Sequence, residues 1–237
     1  MTKLSVNVNK VATLRNARGG DYPNVLHFAL ACEALGVQGI TVHPRPDERH
    51  IRYSDVFDLK NSIKTELNVE GYPSSAFTQL VLDVKPGQVT LVPDPPEAIT
   101  SNAGWDVKAN FDFLKETCSL FKSHGIRTSV FMDTDLSQIE LASKTGADRI
   151  ELYTESYANN FKKNAEKAVF PFVSSAKFAE ELGMEVNAGH DLNSDNLHFF
   201  SQSIPELKEV SIGHALIGEC LYQGLENTIN KYLKALQ

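Results

Sequence analysis

The chain has 237 residues, 42% hydrophobic and 22% charged, with a formal net charge of -7. That length can bury one sizeable core, and the acidic balance argues against a general nucleic-acid surface or an anionic membrane surface. No apolar run approaches a membrane span and residues 1–10 carry no signal-type hydrophobic segment, so the expected setting is cytoplasmic.

Residues 4–9 alternate apolar and polar and read as a first strand, followed by a polar loop through Arg15, Asn16, Ala17, Arg18, Gly19 and Gly20. Val25, Phe28, Ala29 and Cys32 stand at helical spacing, and Gly36 is placed to end that helix. Residues 39–43 form a second strand on β-branched Ile40, Thr41 and Val42. Pro44 and Pro46 then deny backbone donors, so the segment through His50 is a stiffened loop. Ser54 precedes a helix faced by Val56, Leu59 and Ile63, and residues 67–70 make a third strand. Ser74 or Ser75 caps the next helix, whose buried face is Phe77, Leu80, Val81 and Val84.

Residues 88–92 read as a fourth strand. The long connection over residues 93–106 is expected to act as a mobile cover over the site. A helix through Phe111, Leu114, Cys118 and Phe121 ends near Gly125, and residues 128–132 are a fifth strand. Asp133 or Asp135 caps the helix through Leu136, Ile139 and Ala142. Residues 149–153 are a sixth strand, followed by a second long polar loop and a helix through Phe172, Ala176, Ala179 and Leu182. A seventh strand, 185–188, ends in Gly189-His190, and a short helix spans 197–200. The eighth, 209–212, ends in Gly213-His214, and a final helix carries Ile217, Cys220, Leu221 and Gly224. Cys32, Cys118 and Cys220 form no Cys-x-x-Cys pair and sit in helical patterns, which reads as buried thiols.

Eight strand–helix units without a linker or composition shift predict an α/β protein, a (β/α)8 TIM barrel forming a single domain over residues 1–237. An open doubly wound sheet fits less well, because no Gly-x-Gly-x-x-Gly follows the first strand. In such a barrel the catalytic face lies at the C-terminal strand ends. Those positions are Asn7, Asn9, His43, Glu70, Asp133, Glu151, His190 and Gly213-His214, with His50 close behind the second strand. Asp133 is set aside as a helix cap, and His27, His124 and His198 as ordinary helix residues. Three histidines and a glutamate are a workable zinc set, but no close-spaced pair supports it, so no metal is expected and acid–base chemistry is favoured. Gly189-His190 and Gly213-His214 occupy the fold's frequent phosphate site, while Arg18 and Arg45 offer forked donors on loops. Together they point to two anionic groups.

Several segments resemble one family: Asn7-x-Asn9-Lys10-Val-Ala-Thr-Leu-Arg-Asn-Ala-Arg18-Gly, Ile40-Thr-Val-His43-x-Arg45, Asn68-x-Glu70, Val186-Asn-Ala-Gly-His190 and Ile212-Gly-His214-Ala. In order and spacing they resemble the pyridoxine 5'-phosphate synthases. That resemblance implies a cofactor-free barrel that assembles as a homo-oligomer, an octamer in the family. It also implies phosphorylated small-molecule substrates and no nucleic-acid or membrane partner. The implied reaction condenses 3-amino-2-oxopropyl phosphate with 1-deoxy-D-xylulose 5-phosphate, giving pyridoxine 5'-phosphate, phosphate and water. By the same resemblance His43 and Glu70 are proton acceptors, His190 a proton donor, and Glu151 a carboxylate that stabilises transition-state charge. Asn7, Arg18 and Gly213-His214 match the aminoketone phosphate site; Arg45, His50 and Thr100 match the deoxyxylulose phosphate site.

Two segments depart from the family pattern. Asn9-Lys10 stands where Asp-His is common, and Asp191 where a glycine commonly follows the His190 position. All three are kept as substrate contacts: Lys10 can pair with an anion, Asn9 retains hydrogen-bonding capacity, and Asp191 would repel a phosphate unless it points away. Two rival readings remain, a Schiff-base aldolase using Lys10 and a non-catalytic barrel that binds a phosphorylated metabolite.

Overall fold

The computed structural model describes residues 1–94, 101 and 103–237. Eight parallel strands close into a barrel in sequence order: β1 (Lys3–Asn7), β2 (Gly39–Val42), β3 (Glu66–Gly71), β4 (Gln88–Leu91), β5 (Arg127–Met132), β6 (Arg149–Tyr153), β7 (Glu185–Gly189) and β8 (Leu207–Ile212). β8 pairs back onto β1, so no edge is left open. The surrounding helices are α1 (Asn9–Arg18), α2 (Val25–Ala34), α3 (Tyr53–Ser62), α4 (Ser75–Val84), α5 (Phe111–Ser123), α6 (Leu136–Ser143), α7 (Glu155–Phe161), α8 (Ala165–Glu181), α9 (Leu197–Ser203), α10 (His214–Gln223) and α11 (Leu225–Ala235). The expected (β/α)8 TIM barrel is therefore the observed fold.

The strands alternate because their two faces meet different surroundings. One face turns outward to the helices and is apolar and buried: Leu4 and Val6, Ile40 and Val42, Val89 and Leu91, Ile150 and Leu152. Each such side chain contributes roughly 1.5–3 kcal/mol by leaving water. The inward face, where branched apolar residues usually fill such a barrel, is largely polar here, with Phe131 and Tyr153 as apolar exceptions. A chain of contacts crosses it from Ser5 Oγ to Thr41 Oγ1 (2.7 Å), Asn68 Nδ2 to Thr41 Oγ1 (3.4 Å), and Thr90 Oγ1 to Asn68 Oδ1 (3.1 Å) and Glu151 Oε2 (3.3 Å). At the strand starts the interior is closed by Arg127 against Glu66 and Gln88, and Arg149 against Gln88 and Glu185. Burying these groups is tolerable because most of their polar atoms satisfy one another, Gln88 Nε2 being without a partner among the described residues.

Turns follow the chemistry expected of them. Gly36, at φ 93°, lets the Val37 N–H return to Cys32 O at 3.2 Å, and Gly125, at φ 73°, does the same for Ile126 and Phe121 at 3.0 Å. Ser74 caps α4, accepting from Phe77 N at 3.3 Å. Of the two aspartates proposed as the α6 cap it is Asp135 that accepts from Ser137 N, at 2.8 Å, while Asp133 accepts from Gly104 N at 3.0 Å. α3 begins at Tyr53, one residue before Ser54, and its start is closed by Asp55 accepting from Arg52 N at 2.7 Å.

Two helices occupy stretches read from sequence as polar loop, and a third follows the helix read as the last. The polar segment around Arg15–Arg18 belongs to α1, whose inner face is Val11, Ala12 and Arg15; the arginine is buried because Asp55 neutralises it. The second long polar loop contains α7, anchored by the fully buried Tyr157, whose hydroxyl donates to Asn196 O at 2.7 Å. Gly224, at φ 78°, ends α10 and starts α11, which buries Ile229 and Tyr232. Leu221 points outward, 73% exposed. Among the described residues no helix is long and apolar enough to cross a membrane.

Candidate active site

β2 and β3 bring His43 and Glu70 together at the C-terminal mouth of the barrel. His43 Nδ1 lies 4.0 Å from Glu70 Oε2, with both side chains largely buried. Asn7, at the end of β1, donates through Nδ2 to the same Glu70 oxygen at 3.4 Å. Asn9 Oδ1 accepts from the His43 backbone N–H at 2.9 Å, so this amide supplies the acceptor oxygen that an aspartate would supply, without the charge. Burial, followed by the proximity of Arg45, His50 and Arg49, holds His43 well below its ordinary range, so it rests as neutral imidazole.

Glu70 moves the other way. Burial, then the nearby carboxylates Glu151 and Asp94, push it well above the usual carboxylate range. Glu151 on β6 is pushed up to about 8 by burial and by Glu209, against a small opposing hydrogen bond from Thr90. The mouth of the barrel thus holds buried carboxyls that repel one another and retain protons near neutrality. Gly189 leaves room for Glu151: a Cβ there would collide with Glu151 Oε1 and stand 3.2 Å from Ser211 O.

The proline loop after β2 is less free than its sequence implied. Arg45 is only 4% exposed, and its Nη2 donates to Asp94 Oδ2 at 2.6 Å. Ser101 Oγ donates to the same oxygen at 2.6 Å, so the far side of the long connection meets the loop at this carboxylate. Arg45 Nε has no hydrogen-bond partner among the described residues. His50 stands edge-on to His43, ring centroids 6.4 Å apart. Ile51 N donates to His50 Nδ1 at 2.9 Å, which leaves the ring proton on Nε2. Burial and the charges of Arg45, Lys10 and Arg49 lower His50 to about 4.

On the opposite side, His190 follows β7 at φ 81° and packs edge-on to Tyr153, centroids 5.0 Å apart. Asp191 Oδ2 lies 2.7 Å from His190 Nδ1, and that contact holds the Asp191 carboxyl below its ordinary value. Asp191 is thus engaged with the neighbouring imidazole. Gly213 packs against Asn7, whose Cβ would be 3.1 Å from an added Cβ, and His214 opens α10. Lys10 and Arg18 lie on α1, both exposed, so Arg18 is presented by a helix end and not by a flexible loop. Thr100 lies outside the described residues, as does half of the expected cover. Its far end is packed: Trp105 is buried, with Nε1 donating to Leu91 O at 2.9 Å.

Residues missed from sequence are those whose role is to partner another side chain: Asp94 on Arg45, Ser101 on Asp94, Thr90 on Glu151, and Glu209 beneath it. Inward alternation along β4 and β8 was the available signal for Thr90 and Glu209; Asp94 had none. Among the described residues no cluster of His, Cys, Asp and Glu is arranged to hold a metal ion.

The family model of the pyridoxal phosphate biosynthesis protein PdxJ matches residues 4–237. A pyridoxine 5'-phosphate synthase of Parabacteroides distasonis is 64% identical over 236 residues, covering 100% of this chain and 99% of that one. Its namesake from Bacteroides thetaiotaomicron is 63% identical over 237 residues, with both chains fully covered. Phosphoribosylanthranilate isomerase of Thermotoga maritima shares the fold alone: TM-score 0.62 at 12% identity, over 100% of this chain and 98% of that one. With the family match running from the first strand to the last residue, the chain belongs to the PdxJ family of pyridoxal phosphate biosynthesis proteins.

Proposed function

We propose that this chain is a pyridoxine 5'-phosphate synthase, condensing 3-amino-2-oxopropyl phosphate with 1-deoxy-D-xylulose 5-phosphate and releasing phosphate and water. The observation that carries the chemistry is the facing pair of a neutral His43 and a proton-retaining Glu70, 4.0 Å apart at the strand ends. Forming an imine from the substrate's own amine, and then closing an aromatic ring, requires protons to be removed from carbon and handed to leaving oxygens. Glu70, raised toward neutrality, can lose and regain a proton at physiological pH, and His43, held neutral, keeps a ring nitrogen free to accept one. In this reading His43 and Glu70 accept protons, and His190, steadied by Asp191, donates one to a departing group. Glu151 stabilises the charge that develops between them. Lys10 stands exposed on a helix and not inside the barrel, which weakens the Schiff-base reading.

The two phosphates take different ends of the mouth. Asn7, Arg18 and Gly213-His214 receive the aminoketone phosphate; Arg45, His50 and Thr100 receive the deoxyxylulose phosphate. Asn9 and Lys10 line the latter. We extend the proposal to residues 1–237 acting as one catalytic domain, in a cytoplasmic homo-oligomer without a cofactor.

The test is a single-pot assay in which chelator-treated protein meets both substrates, and pyridoxine 5'-phosphate and free phosphate are followed. Wild-type protein should form both, and Glu70→Gln should be slower by roughly 10²–10⁴-fold. No product from the wild type sinks the assignment of activity, and full activity in the variant sinks the role of Glu70.

A further inference from the structure

Two residues of the Ala-Thr-Leu-Arg-Asn-Ala-Arg run have no part in the roles above: Arg15 and Asn16. Arg15 is 1% exposed, one of the largest fully buried side chains. Its Nη1 and Nη2 donate to Asp55 Oδ1 and Oδ2 at 2.6 and 2.8 Å, a bidentate fork. Nη2 also reaches His50 O at 3.1 Å, and Nε donates to Asn16 Oδ1 at 3.0 Å. Asn16 Nδ2 in turn faces three successive carbonyls, those of Glu48, Arg49 and His50, at 3.3, 3.2 and 2.8 Å.

Those carbonyls belong to irregular backbone, which no strand or helix can satisfy. One amide and one guanidinium do so instead, and both come from α1. The first residue of that helix, Asn9, already holds the His43 N–H at 2.9 Å. α1 therefore grips the loop after β2 at both ends, at His43 and at residues 48–50, with Arg45 between the two grips. His50 is fixed twice over, its carbonyl by Arg15 and Asn16 and its ring by Ile51 N. A binding loop must be held within about half an ångström for its donors to meet a phosphate.

We infer that Arg15 and Asn16 are positioning residues for one substrate only, setting the loop that presents Arg45 and His50 to the deoxyxylulose phosphate. The inference rests on the proposed function for the name of that substrate. It predicts selectivity, because Asn7, Gly213 and His214 belong to other elements; Arg18 shares α1, but that helix is seated by Val11, Ala12 and Arg15, which the Asn16 variants leave intact.

The experiment compares Asn16→Ala, the isosteric Asn16→Asp, which lacks the donor, and Arg15→Lys, each checked for fold by circular dichroism and melting temperature. KM is measured for each substrate with the other saturating. The expected result is a rise of roughly ten-fold in KM for 1-deoxy-D-xylulose 5-phosphate in both Asn16 variants, from loss of shared hydrogen bonds. The aminoketone KM and kcat should stay within about two-fold. Equal movement of both KM values, or of neither, overturns the inference. Should wild-type protein turn nothing over, the proposed function fails separately. The same variants are then read by calorimetric titration with 1-deoxy-D-xylulose 5-phosphate: weaker binding in the Asn16 variants supports the positioning role, and unchanged binding overturns it.

Discussion

Asp94 occupies the guanidinium of Arg45, at 2.6 Å between Nη2 and Oδ2, with both side chains about nineteen-twentieths buried. On the proposed assignment of Arg45 to the deoxyxylulose phosphate, the carboxylate balances the arginine before substrate arrives and competes with the phosphate afterwards. Asp94→Asn keeps the shape and removes the charge, leaving a buried cation unbalanced. The variant should lose on the order of 3 kcal/mol. Millimolar inorganic phosphate should then raise its melting temperature more than it raises that of the wild type, because the anion replaces the missing charge. Equal phosphate shifts in the two proteins would show that Arg45 is not the anion's partner.

Gly189 and Glu151 share one space. Gly189→Ala forces its Cβ into the Glu151 carboxyl, and either the strand or the carboxyl must move. Overpacking of this kind costs about 1–3 kcal/mol. Adding Glu151→Ala removes the obstacle, so the double variant should be more stable than the sum of the single losses allows, by about 1 kcal/mol or more. Chemical denaturation of the four proteins in the cycle measures it, and strict additivity would argue that the collision is relieved elsewhere.

His190 holds a left-handed backbone, φ 81°, that disfavours every side chain and suits glycine. His190→Gly and His190→Ala both lose the ring, its Asp191 contact and its packing on Tyr153. Only the glycine relieves the backbone. The glycine variant should therefore be the more stable of the two by about 1 kcal/mol, read from denaturation midpoints. Both should lose turnover by roughly 10²-fold or more if the imidazole passes a proton.

The strands were legible to within one or two residues, because an apolar outward face and a polar inward face give each strand its alternation. α1 was not, since Arg15, Asn16 and Arg18 look like solvated loop. What makes Arg15 a core residue is Asp55, on another element, and a pairing across that distance leaves no periodic trace. α7 was hidden for a similar reason, being a single turn or two held by Tyr157 among Phe161, Phe172 and Phe200. Strand-end positions identified His43, Glu70, Glu151 and His190, because topology alone fixes where such residues point. The Asp94 and Asn16 contacts depend on how loops fold back, which the pattern of one segment does not encode.

The protonation of the site should be visible in stability. Glu151 is held up to about 8, against an ordinary 4.5, so between those values the folded protein keeps a proton that the unfolded chain has released. Stability must fall as pH rises through that span. His43 runs the opposite way: the unfolded chain binds a proton below 6.5 that the buried ring refuses, so its contribution rises with pH and is complete above 6.5. His50, lowered to about 4, acts in the same sense. Above 6.5 only the carboxyls remain, with Glu209, raised to about 7, adding to the lower part of the range. Wild-type protein should therefore lose stability from pH 6.5 to 8, by at most about 1.4 kcal/mol per unit for each carboxyl. Glu151→Gln carries a permanently neutral side chain of the same shape and should show a shallower decline. Urea denaturation of both proteins at the two ends of this window decides the matter: parallel slopes would mean that Glu151 is already ionised in the folded barrel.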